Sequence, residues 1–280
     1  MLNQTLKLVS IGEATADYYP NINKTLVGGI SLNYAVQAKR CGADIVSLVS
    51  CVGRDENGQL ILDYLQKEQI DTSHVTVRDG KTSNCEIVVL ENGERYFPPN
   101  SYHQNVLANF EPSAADLTFV QQHDVLVSRY DISYTKVLFN RVMCELEFSG
   151  KRVADFGDWF DYDGRHPVVF PYLNQIDLAF ISGDEVTVQA FLPLSIDSKA
   201  QIIVTLGEKG SVALVDGKII EQPIIPVERI VDTTGCGDAF QAAFTVTYFQ
   251  ARNPNTHNLK AALQAGAQNA SKTLQHFGAS

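Results

Sequence analysis

Short apolar, β-branched runs alternate with helix-period segments along almost the whole chain, and this rhythm limits the fold more than any other feature. LKLVSIG at 6–12 and IVSLV at 45–49 are continuous apolar runs, the pattern of strands covered on both faces. Behind the first, Leu32, Ala35, Val36 and Lys39 share one helical face, with Gly42 as the stop. Behind the second, after Gly53 and Gly58, comes an amphipathic segment carrying Leu60, Ile61, Tyr64 and Leu65. VLV at 125–127, VAD at 153–155, LAFI at 178–181 and IIVTL at 202–206 continue the alternation. It predicts an α/β fold, a mostly parallel sheet flanked by helices on both faces. One stretch breaks the rhythm: CEIVVL at 85–90, the turn ENGE at 91–94 and RYF at 95–97 read as a β-hairpin. With the segment around 16–26 it forms either a small sheet over one edge of the core or an ordinary edge hairpin.

A chain of 280 residues could hold two domains or one large sheet, and it has no repeats, linkers or low-complexity tracts. The reading is therefore one domain over 1–280. The net charge of −10, with no Lys/Arg run, argues against nucleic acid and anionic membrane as partners. An anionic ligand would need a local positive site of backbone N–H groups and a divalent cation. The first residues show no basic segment leading into a long apolar stretch, so neither a secretory signal nor a membrane span is expected. Cys41, Cys51, Cys85, Cys144 and Cys236 are odd in number and never spaced C-x-x-C, which predicts free thiols and a cytoplasmic location.

The chemistry concentrates in VDTTGCGDAF at 231–240, a glycine turn running into a helix of small and apolar residues. Gly235 and Gly237 allow close backbone approach, and the free N–H groups of a helix N-terminus make an anion site suited to phosphate. Asp238 sits in the first turn, where a carboxylate can accept the proton of an attacking hydroxyl. A lone Gly-x-Gly-Asp would more simply be a helix cap. Asp232, two threonines, two glycines and Asp238 in one turn are harder to explain that way.

DTTGCGDAF at 232–240 resembles the second signature of the ribokinase/PfkB sugar kinases, with Cys236 where Ala is usual. Gly28-Gly29, Asn33, Ala35, Gly42 and Val52-Gly53-Arg54-Asp55 with Gly58 are similar to the first signature, and TLGEKG at 205–210 to the nucleotide turn. The resemblance implies a ribokinase-like, doubly wound α/β core. It also implies a small β lid from about 14–28 and 83–102, which would exclude water on closing. It implies Asp238 as base, the amides of Gly235, Cys236 and Gly237 as anion hole, and Asp17, Gly28, Gly29, Asn33 and the lid residue Arg95 around the substrate. Thr205, Gly207 and Gly210 would line the nucleotide, with Asn269 near adenine, and Glu185 would reach Mg²⁺ through water. The family's Asn three positions before that Glu is Ser182 here. ATP and Mg²⁺ are the implied cofactors, with a monovalent cation such as K⁺ beside Asp232 and Thr234.

ADYYP at 16–20, NKTLVGG at 23–29, DFGDWFD at 155–161 and KTLQ at 272–275 look like fructoselysine 6-kinases, so a glycated-amine sugar is the expected substrate. Fructose, ketodeoxygluconate or a nucleoside are alternatives, as is a weakly catalytic sugar sensor. Asp155, Asp158 and Asp161 could meet a cationic amine, although a solvated loop is the simpler reading. Cys236 at a helix N-terminus raises the question of a lowered thiol pKa. Asp155-Phe156-Gly157 spells the protein-kinase DFG without its companion motifs, a coincidence. A small sheet with an open edge also suggests a homodimer through the lid.

Overall fold

The computed structural model describes residues 5–131, 135–162, 168–251 and 256–279. In chain order the strands are β1 (Lys7–Ile11), β2 (Thr15–Tyr19), β3 (Lys24–Gly28), β4 (Ile45–Gly53), β5 (Val75–Arg78), β6 (Asn84–Glu86) and β7 (Val88–Val89). They continue as β8 (Arg95–Tyr96), β9 (Val125–Arg129), β10 (Lys151–Asp158), β11 (Leu178–Ser182), β12 (Gln201–Thr205), β13 (Ser211–Val215) and β14 (Lys218–Gln222). The helices are α1 (Ile30–Arg40), α2 (Glu56–Lys67), α3 (Ala114–Val120), α4 (Lys136–Asn140), α5 (Glu185–Phe191), α6 (Leu194–Asp197), α7 (Cys236–Gln250) and α8 (Thr256–Thr273). Every run expected as a strand of the large sheet is one.

Nine strands form one sheet in the order β14-β13-β12-β11-β10-β9-β1-β4-β5. Neighbours pair in parallel from β12 to β5, and β13 and β14 close the far edge antiparallel. Side chains alternate along a strand, and here each direction leads into its own core. Leu8, Val127 and Ile203 point into a core shared with Leu32 of α1, Ile61 of α2, Phe244 of α7 and Leu263 of α8. Val9, Leu126 and Ile202 point into the opposite one, with Phe139 of α4 and Val188 and Phe191 of α5. Both faces are dry, which is why these strands read as unbroken apolar runs. Each large side chain so buried contributes about 1.5–3 kcal/mol.

The small sheet departs from the sequence reading in one respect. Instead of a single long hairpin, 85–97 divides at Ile87, whose side chain is buried against Tyr19, Cys85 and Val89. Before it, β6 pairs in parallel with β2 in a three-stranded sheet ordered β3-β2-β6. After it, β7 and β8 form a two-residue hairpin closed by Gly93, whose φ is +85°. Ile87 donates its N–H to Tyr18 O, 2.9 Å. The β2 ladder thus captures the first half of the stretch before the hairpin can extend.

Candidate active site

Helix α7 begins at Gly235, which is left-handed (φ +74°), and a Cβ there would lie 2.0 Å from Ala279 Cβ. Only glycine satisfies both the backbone angle and that packing. Two residues on, a Cβ at Gly237 would meet nothing within 4 Å, so the first turn of α7 borders open space at Gly237, while the Cys236 N–H donates to Thr233 O at 3.3 Å. The turn is held from behind by Asp232, whose carboxylate accepts from Thr234 N (2.8 Å) and Gly278 N (2.9 Å). From the front the hairpin tip grips Thr233: its N–H donates to Gly93 O (3.0 Å), and Arg95 donates from N to its Oγ1 (3.2 Å) and from Nη1 to its carbonyl (3.0 Å).

Asp238 lies in the first turn of α7, buried, with Oδ2 accepting from Asn33 Nδ2 of α1 at 2.8 Å. Burial pushes its carboxyl up to about 7; Asn33 and the more distant Arg129 and Arg95 oppose this, while Asp155 adds to it. Such a carboxylate is a stronger base than an exposed one and is about half ionised near neutral pH. The other Asn33 atom, Oδ1, is buried without a hydrogen-bond partner among the described residues. A buried acceptor in that state fits a hydroxyl donor from a bound molecule.

Asp17 belongs to the same acidic environment. Its Oδ1 accepts from Thr15 Oγ1 at 2.8 Å, and burial pushes it up to about 7 as well, with Glu13 and Asp232 adding to the rise. A Cβ on Gly28 would sit 1.8 Å from Asp17 Oδ2, so Gly28 works by admitting that carboxylate. Gly29 caps α1 at φ +96°. Asp17, Gly28, Gly29 and Asn33 therefore form one wall, joined to Asp238 through the amide of Asn33.

The residues expected at a nucleotide divide. Thr205 ends β12, its hydroxyl 2.9 Å from that of Ser182, and a Cβ on Gly207 would face open space. Gly210 is a turn glycine, where a Cβ would lie 2.2 Å from Gln222 O. Asn269 does something else: Nδ2 donates to Gln37 Oε1 (3.0 Å) and Ala239 O (2.9 Å), tying α8 to α1 and α7. Its Nδ2 is thus engaged in helix packing, and a place near adenine stays an expectation for the rest of the residue. Glu185 opens α5, exposed, with Oε1 2.6 Å from Lys209 Nζ, which holds its carboxyl below the usual range. No group of three or more His, Cys, Asp or Glu that could enclose a metal occurs among the described residues. Glu185 and Ser182 fit a hydrated cation held mainly by phosphate oxygens.

Two further expectations change. A helix N-terminus should lower the Cys236 pKa, but burial dominates and pushes the thiol up to about 12, so a reactive thiolate does not form there. Asp155 and Asp158 have separate local partners. Asp155 is buried, 3.5 Å from Arg129 Nη1 and accepting from Gly157 N; Asp158 accepts from Phe160 N; the side chain of Asp161 lies outside the described residues. Sequence reasoning missed Arg129 and reached Glu13 only as part of the segment 12–17, which resembles the family's substrate-binding strand end. Glu13 follows β1 and Arg129 ends β9, neighbouring strands of the sheet. A charged residue directly after a dry strand was the available signal.

The family model described as pfkB family carbohydrate kinase matches residues 6–158 and 166–280. The chain belongs to the PfkB family of carbohydrate kinases. As a PfkB protein it is a phosphotransferase that acts on a sugar hydroxyl. It is 30% identical over 276 residues to fructoselysine 6-kinase of Escherichia coli, covering 97% of this chain and 98% of the relative. Adenosine kinase from Sinorhizobium meliloti superposes with a TM-score of 0.84 at 18% identity, over 99% of this chain and 96% of that one. Arabidopsis thaliana ribokinase complexed with ribose and ATP gives 0.78 at 22%, over 99% and 95%. These two likenesses show the ribokinase-like fold, a large mixed, mostly parallel sheet with a small separate sheet.

Proposed function

We propose that this PfkB kinase transfers the γ-phosphate of ATP to a primary hydroxyl of a glycated amine such as fructoselysine. The observation that carries the reaction is a buried carboxylate, Asp238, clamped by Asn33 in the first turn of α7, next to the Gly235–Gly237 turn that borders open space at Gly237. Substrate identity draws on the full-length likeness to the fructoselysine kinase.

In this reading Asp17, Gly28, Gly29 and Asn33 orient the acceptor, with Asn33 Oδ1 receiving one of its hydroxyl protons. Asp238 takes the proton of the attacking hydroxyl. Phosphoryl transfer has a loose transition state and the proton leaves late, so a base near 7 is sufficient. The α7 amides and dipole stabilise charge on the moving group, and Arg95 adds positive charge from the lid. Thr205, Gly207 and the turn closed by Gly210 border the nucleotide. Mg²⁺, which neutralises phosphate charge when bound, would be reached through water by Glu185. K⁺ would sit beside Asp232, whose two accepted hydrogen bonds leave about half of a carboxylate's acceptor sites open. A homodimer through the lid is part of the same reading, supported by Tyr18, 38% exposed on its outer face.

A coupled ADP-release assay with fructoselysine, fructose, ribose and adenosine tests this. Fructoselysine should give the highest kcat/KM. A higher value for another member of the panel rejects the substrate, and no ADP release with any of them rejects the kinase assignment.

A further inference from the structure

A second cavity, of about 300 Å³, opens at Gly12 and Glu13, the end of β1 beside the acceptor wall, and is bounded by the loop at 104–112 and by α4. That volume is at the lower end for a ligand pocket and suits part of a ligand. Its lining changes character along its length. Glu13 stands at the inner end, Leu107, Phe110 and Leu138 form an apolar wall, and Glu111 and Arg141, 3.4 Å apart, lie at the rim. The loop is held in place. Arg78 donates to Asn109 O (2.8 Å) and stacks 5.6 Å over Phe110, and Asn105 Nδ2 donates to Thr82 O (2.9 Å).

Glu13 is half-buried, yet its hydrogen bonds come from neutral groups, the Tyr102 hydroxyl (3.4 Å) and the Ile30 N–H. Arg129 acts on it only from a distance, since that guanidinium pairs with Asp155. Burial accordingly pushes the Glu13 carboxyl up. A carboxylate in this position gains most from a cation that arrives with the ligand.

Resting on the substrate reading above, we propose that this cavity binds the non-reacting arm of the glycated amine. Glu13 meets the secondary ammonium that joins sugar to amine. The alkyl chain lies along Leu107, Phe110 and Leu138, and the amino-acid end meets Glu111 and Arg141 with opposite charges. The arrangement follows the order of groups in the molecule: hydroxyl toward Asp238, nitrogen at the far end of the sugar, then apolar chain, then zwitterion. An acceptor lacking the arm leaves Glu13 without its cation, which makes the cavity a selectivity device.

Steady-state kinetics with ATP and three acceptors carrying the same hydroxyl test it: fructoselysine, the 1-O-pentyl ether of fructose, and fructose. Glu13→Gln should lower kcat/KM for fructoselysine relative to the ether by about 10- to 100-fold, the range for a hydrogen bond to a charged group. Ala108→Trp, which fills the cavity from an exposed position, should lower fructoselysine and the ether together relative to fructose. Arg141→Ala should give a smaller loss than Glu13→Gln, larger for fructoselysine than for the ether, and it tests the rim if Glu13→Gln does not fold. An equal loss on all three acceptors with Glu13→Gln, or ratios unmoved in Ala108→Trp and Arg141→Ala, overturns the arm site. Wild-type protein that phosphorylates fructose but not fructoselysine overturns the substrate reading and this proposal together. Wild-type preference for fructoselysine with unmoved ratios removes only the arm site.

Discussion

Replacing Asp238 with Asn should make the protein both inactive and more stable. In the fold this carboxyl titrates near 7 instead of at its ordinary 3.8, and burial is the largest cause. Between those values the folded chain binds more protons than the unfolded one, so wild-type stability falls as pH rises through that interval. At 1.36 kcal/mol per pH unit the loss reaches roughly 4 kcal/mol above pH 7, a ceiling set by the size of the pKa change. The introduced side-chain amide would keep an oxygen for Asn33 Nδ2 without carrying a buried charge. The gain in unfolding free energy should therefore be near zero at pH 4, grow steadily, and level off above pH 7. Even half of the ceiling is visible as a Tm rise of several degrees. Turnover should drop about 10²- to 10⁴-fold, the usual contribution of a general base. Urea and thermal melts of both proteins at four pH values, with ADP release alongside, provide the measurement. A stability difference that does not vary with pH, or a loss in the variant, refutes the burial argument; turnover within tenfold of wild type refutes the base.

Below about pH 7 kcat/KM should fall in inverse proportion to proton concentration as Asp238 protonates, and a flat profile down to pH 5.5 counts against it. Gly235→Ala places a methyl 2.0 Å from Ala279 Cβ at a φ of +74°; a loss of about 2 kcal/mol or more and near-complete inactivity are expected, and a Tm unchanged within a degree contradicts the packing. Arg95→Ala should raise KM about 5- to 30-fold through loss of its bond to the Thr233 carbonyl and speed hydrogen exchange at 88–96; unchanged exchange would mean the hairpin is anchored elsewhere. Glu185→Gln should raise the Mg²⁺ concentration for half-activity several-fold while leaving the Tm in place, because its partner Lys209 is exposed; an unaltered Mg²⁺ dependence removes Glu185 from the metal's surroundings.

The large sheet was legible because its strands are dry on both faces. Leu8 and Val9, or Ile202 and Ile203, enter opposite cores, and an unbroken apolar run is what that requires. The glycine turn before α7 was legible as a turn for a different reason, since Gly235 and Asp238 are each fixed by a local constraint, a left-handed backbone and a helix first turn. What escaped depends on distant partners. The packing role of Asn269 rests on Gln37, 232 positions away, which accepts from its amide. Glu13 and Arg129 belong to the site only because β1 and β9 are neighbours, a pairing that local pattern does not encode. The split of 85–97 at Ile87 likewise arises from competition between β2 and the hairpin for one segment.

The grip on Thr233 has a consequence for how the molecule behaves when idle. Four hydrogen bonds join the hairpin tip to the residue two positions ahead of the α7 cap, one of them from its Oγ1 to Glu94 Oε2 at 3.4 Å. Any swing of the tip away from α7 must break them, and the glycine turn then loses its front support. If the hairpin works as the lid proposed above, water entering an opened site would meet a half-braced turn, and a seated sugar a fully braced one.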